Sequence, residues 1–162
     1  MSVRAFDYEK KQYTPTDKDF KMKNIFEIHH PSLEQYKVSQ FIDYAPTIFH
    51  YFRKINGIFS DNYLDSLGPE CLTKVITGNA ELFQGLGSTG QSGSFFFTSS
   101  DKKYLVKTIK EEEFDLVMEI LPKYFNYITK NPNSLISRVF GLHRIIMKSM
   151  LGTREEWVII VM

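Results

Sequence analysis

Between residues 81 and 109 the chain breaks into three short runs, 81–87, 94–100 and 103–109, each rich in β-branched or aromatic residues. Glycine, serine and an Asp-Lys pair separate them. Strands this short do not stand alone; joined by such turns, they predict an antiparallel sheet. The next segment has another period. Glu111-Glu112-Glu113 opens it, and Phe114, Val117, Met118, Leu121, Phe125 and Ile128 then fall on one helical face. Acidic residues in a first turn oppose the positive end of the helix dipole. Pro122 lies inside the pattern and predicts a kink or a break, and Asn131-Pro132 closes the segment. Two further strands, 138–147 and 156–162, flank a loop containing Gly152 and predict an antiparallel hairpin.

Upstream, Phe41, Ala45, Ile48, Phe49, Phe52 and Ile55 recur at helical spacing. Pro46 suits a first helical turn and Gly57 the position past the end, so a helix is expected over 45–56. A shorter one follows, capped by Ser60 or Asp61, with Leu64 and Leu67 as its apolar side, ended by Gly68-Pro69. Residues 1–24 show neither period and are read as a flexible leader, with order from residue 25 to 162. The order is helices, three strands, a helix and two strands, an α+β layout with helices packed on an antiparallel sheet. The run 157–162 is a strand of interior type. It is either tucked into the sheet or covered by more of a larger, truncated protein.

Composition narrows the classes. The 162 residues fit one domain, and 43% hydrophobic with 15% aromatic residues excludes a disordered chain. Twenty basic residues against 19 acidic leave +1, no global field for nucleic acid or an anionic bilayer. Cys71 is the single cysteine, so no internal disulfide forms, the N-terminus has charges where a signal peptide has an apolar core, and no apolar run spans a bilayer. A soluble, intracellular domain is expected.

Chemistry concentrates between residues 87 and 113. Gly90, Ser92, Gly93 and Ser94 sit between two strand-like runs, where bare backbone N–H groups and hydroxyls can surround an anion. Taken alone, such a cluster reads as a hairpin turn, and its spacing is neither a Walker A nor a dinucleotide-binding pattern. Lys107 adds to it. Alternation puts Leu105, Lys107 and Ile109 on one strand face, and an ammonium among apolar neighbours needs a partner or a route to solvent. A carboxylate from the following helix would hold it, Glu113 first, with Glu112 and Glu111 as the alternatives. Glycine-rich hairpin, strand lysine and helix glutamate is the order in which the protein kinase fold builds its grip on ATP. Elsewhere, His29-His30 lack further metal ligands, His50 and His143 lack a nucleophile, and the aromatic residues read as core.

These residues resemble the phosphatidylinositol phosphate kinase family, of the phosphatidylinositol-4-phosphate 5-kinase type. The matching stretches begin at Gly90 (GQSGSFFFTSSD), Leu105 (LVKTI), Ile120 (ILPKY), Asn131 (NPNSLI) and Phe140 (FGLHRI), with Asp43-Tyr44-Ala45-Pro46 upstream. The resemblance covers about residues 40–162 and implies the amino-terminal lobe of a kinase that transfers the γ-phosphate of ATP to the inositol ring of a phosphoinositide. It implies that Gly90, Gln91, Ser92, Gly93 and Ser94 cover the phosphates. Lys107 would bind them, Glu113 would orient Lys107, Leu105 would line the adenine slot, and Met162 would approach the hinge. The catalytic aspartate, the Mg2+ ligands and the lipid-choosing loop are expected in a carboxy-terminal lobe after residue 162, so no catalytic or metal-binding residue is assigned here and no turnover is expected of this polypeptide alone. Such a protein would work in the cytoplasm, peripherally at the inner face of membranes. A rival reading is a non-catalytic dimerisation or scaffold module.

Overall fold

The sheet forecast by the short runs is present, and it is wider than the sequence reading has it. The structure is a computed structural model describing residues 6–7, 12–27, 36–67, 94, 96–99 and 101–162. Among these, the elements run β1 (Phe6–Asp7), β2 (Gln12–Tyr13), α1 (Asp17–Lys21), β3 (Lys23–Glu27), β4 (Tyr36–Tyr44), α2 (Pro46–Ile55) and α3 (Ser60–Leu67), then β5 (Phe96–Thr98), β6 (Leu105–Ile109), α4 (Glu111–Lys130), β7 (Gly141–Ser149) and β8 (Arg154–Val161). Six strands pair in the order β3-β4-β7-β8-β6-β5, every neighbour antiparallel. β1 and β2 pair separately.

Each face of the sheet carries its own core. On one face Leu142, Val158 and Ile160 meet Ile48, Phe49 and Phe52 of α2 and Phe114, Leu121, Phe125 and Ile128 of α4. Phe52 and Phe125 pack ring to ring at 5.5 Å, and Tyr13 and Phe20 add edge-on contacts to Phe125. On the other face Val106, Ile145, Met147, Ile159 and Val161 pack with Phe97, Tyr104 and Tyr63 of α3. Each such side chain, removed from water, contributes roughly 1.5–3 kcal/mol.

The α2 and α4 boundaries follow from their caps. Ala45 takes a left-handed φ of 43° and Pro46 supplies the first helical φ, while the Ala45 N–H donates to the Met22 carbonyl at 2.8 Å. Gly57, at φ 71°, turns the chain away after α2. α4 runs unbroken through Pro122, so of the kink or break expected there the break does not occur. A proline in a helix costs about 3 kcal/mol, and the apolar stripe from Phe114 to Ile128 held against the sheet outweighs it.

Three expectations change. Phe41 belongs to β4 and not to a helical stripe, because β3 and β4 form a hairpin before α2. Leu64 is 62% exposed; the covered side of α3 is Tyr63 and Ser66, with Leu67 half-buried. Secondary structure also starts inside the segment read as leader. α1 is closed by a reciprocal pair, the Thr16 N–H donating to Asp19 Oδ2 at 2.7 Å and the Asp19 N–H to the Thr16 carbonyl at 2.9 Å. β8, the interior-type run, lies between β7 and β6, where both its edges are paired.

Candidate functional site

Lys107 sits in the middle of β6, opposite Phe96 on one side and Ile160 on the other. Ile109, two residues on, packs into the core beneath α4, so the lysine lies on the α4 face of the sheet. There its Nζ donates to Glu113 Oε1 at 2.9 Å, and the Phe96 ring centroid lies 5.8 Å away. The lysine side chain is 22% exposed and that of Glu113 38%, so the pair lies at a wet margin of the core. Among the described residues no other acceptor is given to the ammonium, which has two further protons to donate.

The other oxygen of Glu113 is also in use. Oε2 accepts the Lys110 backbone N–H at 2.9 Å, which closes the first turn of α4. One carboxylate therefore ties the strand lysine to the helix start. The Lys107 ammonium, and after it the Lys110 N–H, hold the Glu113 carboxyl below the usual carboxylate range. Of the alternatives, Glu111 accepts from Arg144 Nη2 at 2.6 Å and Glu112 is exposed. Arg144 also pairs with Glu156 and donates to Tyr44 Oη at 3.0 Å. It pins α4 to β4, β7 and β8.

Leu105 opens β6, half-buried, its N–H and C=O both bonded to the backbone of Met162 at 2.9 and 2.8 Å. Ser94 is buried. Gly90, Gln91, Ser92 and Gly93 lie outside the described residues, as do His29, His30 and the strand expected at 81–87. His50 is exposed, 3.5 Å from Ser60 Oγ.

A second polar cluster escaped the sequence reading. His143 is 6% exposed, with Nε2 3.1 Å from Tyr63 Oη and Phe41 against its ring. Asp43 Oδ1 lies 3.0 Å from its Nδ1, out of line for a hydrogen bond. Burial pushes the Tyr63 phenol far up, against the pull of Arg53, whose guanidinium lies 4.3 Å from the Tyr63 ring and donates to the Phe140 carbonyl. Gly141 fits beneath: a Cβ there would collide with Tyr63 Oη and His143 Nε2. The partners come from 80 and 100 residues away, so no local pattern announces them. Among the described residues no trio of His, Cys, Asp or Glu side chains is placed to hold a metal.

An antiparallel sheet with a strand lysine gripped from the first turn of the helix laid across it defines a kinase-like amino-terminal lobe. The sequence profile described as Phosphatidylinositol-4-phosphate 5-Kinase matches residues 77–162, just over half of the chain. The chain belongs to that family. It is similar to a Plasmodium falciparum phosphatidylinositol 4-phosphate 5-kinase, 35% identical over 157 residues, covering 96% of this chain and 9% of the relative. It is 41% identical over 120 residues to a probable phosphatidylinositol phosphate kinase of Dictyostelium discoideum, and 35% identical over 120 residues to the human type-1 alpha phosphatidylinositol 4-phosphate 5-kinase. Each of these two matches covers 74% of this chain, and 16% and 18% of the relative. The chain thus spans less than a fifth of these relatives.

Proposed function

We propose that this chain is the ATP-holding lobe of a kinase that phosphorylates the inositol ring of a phosphatidylinositol phosphate. The observation that carries the reading is the Lys107–Glu113 pair, 2.9 Å long, on a strand that follows the Gly90–Ser94 segment in sequence. The donor set fits polyphosphate. Lys107 has further protons to donate from a partly exposed ammonium, and a carboxylate bonded on both oxygens fixes its direction. Gly90, Gln91, Ser92, Gly93 and Ser94 would close over the phosphates, and Leu105 would flank the base. ATP supplies the transferable phosphoryl group, and Lys107 offsets its charge as it moves. The Mg2+ such a transfer uses finds no ligand cluster among the described residues, so no step is assigned to it here. The catalytic aspartate is assigned to the second lobe of such a kinase, and this lobe by itself is expected to turn nothing over. The protein would act in the cytoplasm, at the inner face of membranes, where its lipid lies.

In the full-length protein Lys107→Met is expected to lower phosphorylation of phosphatidylinositol 4-phosphate by at least about a thousand-fold, with folding unchanged by circular dichroism. A fully active variant would sink the assignment. One observation favours the non-catalytic reading as a second role: among the described residues β3 is an edge strand, exposed along its length, with Ile25 and Phe26 more than half in solvent. Such an edge pairs copies of a chain. Light scattering during an ATP titration separates the roles: a dimer without ATP affinity favours the scaffold, a chain that binds ATP the kinase.

A further inference from the structure

We infer that the turn between β7 and β8 is a membrane-insertion point that seats Met150 and Leu151 among the acyl chains of an anionic bilayer. The inference rests on the lipid-kinase reading for its choice of a membrane as the partner; the rest comes from the turn itself. Met150 is 70% exposed and Leu151 94% exposed, side by side at the tip of a two-stranded hairpin. Hairpin tips are ordinarily built of glycine, asparagine, aspartate and serine, so two large aliphatic side chains held in water at one tip call for a cover.

The base of the turn is closed on itself by hydrogen bonds. The Ser149 N–H donates to the Thr153 carbonyl at 2.9 Å and the Gly152 N–H to the Ser149 carbonyl at 3.1 Å. The Thr153 N–H is taken by Ser149 Oγ at 3.2 Å, and the two hydroxyls meet at 2.6 Å. The polar groups of Ser149 and Thr153 at the base of the turn are thus paired with one another and with Gly152, and add little to the cost of bringing the tip into a membrane. Gly152, at φ 88°, makes the reversal tight enough for this closure.

Charge selects the surface. Lys148 and Arg154 face one another across the last paired position before the tip, and residues 148–154 contain no carboxylate. Arg154 also bonds Glu156 at 3.0 Å, and Glu155 and Glu156 lie farther down β8, away from the tip. With the tip buried, the two cations stand at headgroup depth, where each basic residue adds attraction to anionic lipid. Because the whole chain carries a formal +1, the preference is local to this turn.

The test uses the full-length protein and vesicles of phosphatidylcholine with and without phosphatidylserine. Substituting Met150→Ser and Leu151→Ser together is expected to lower partitioning onto the phosphatidylserine vesicles by about ten-fold or more, and Lys148→Ala by about five-fold, the latter effect vanishing in salt. A fluorophore on Leu151→Cys, with Cys71 and any other labelling cysteine of the full-length protein replaced by serine, is expected to shift to the blue on binding. Thermal melting of the serine variant is unchanged, since both side chains are exposed. The proposal fails if the serine variant binds as the parent does, if the parent ignores the vesicles, or if the variant loses a self-association seen in solution, which would make a second copy the cover. Phosphorylation of a short-chain, water-soluble phosphoinositide needs no bilayer and is expected to be unaffected by the serine changes. Its absence in the parent would remove the kinase reading and leave the vesicle result to decide the turn.

Discussion

A single carboxylate, that of Glu113, is shared between a side chain and a backbone: Lys107 takes one oxygen, the Lys110 N–H the other. This pair was legible in sequence because both members sit within seven residues, one on a strand of known alternation and one in a helix start. The His143 cluster was not. Its members, Asp43, Tyr63 and Gly141, are joined only by the folding of β4, α3 and β7. The requirement for glycine at position 141 is steric, since any Cβ enters the space of Tyr63 and His143. Gly141→Ala is therefore expected to destabilise the protein by about 1–3 kcal/mol, measured as a lower urea midpoint at constant slope.

The elements with one clean period were readable: α2, α4, β6 and the β7–β8 hairpin all fall close to where their patterns put them. β3 and β4 were not, for a reason visible in β4. Phe41 packs toward one core while Ile42 is buried on the opposite face, so no clean alternation of apolar and polar residues marks the strand. Phe41 also lies four residues before Ala45 and so extends the helical stripe of α2 backward by chance. Pro122 misled for the opposite reason. Local sequence forbids a hydrogen bond there, and packing keeps the helix whole. Pro122→Ala restores that bond and is expected to raise stability by up to about 3 kcal/mol, seen as a higher melting temperature with the far-ultraviolet spectrum retained.

At the scale of the molecule, ion pairs join the helices to the sheet. Burial works to raise the Glu156 pKa, and Arg144 with Arg154 overcomes it, so the carboxyl ends below its ordinary value, as does that of Glu113. Asp101, bonded to Ser99 and Ser66 across the foot of α3, is lowered too. A depressed folded pKa gives stability that is complete above the unfolded value and lost as pH falls through the folded one. Denaturant midpoints are thus expected to hold near neutral pH and to drop below about pH 4. The strand order carries one more consequence. Among the described strands, β5 and β6 reach β3, β4 and β7 only through β8, which follows all of them in the chain. During synthesis from the amino end, two separate half-sheets must wait with open edges until residues 154–161 leave the ribosome. Lys107 stands on the β5–β6 half, so its strand keeps an open edge, one that a chaperone can bind, until β8 arrives.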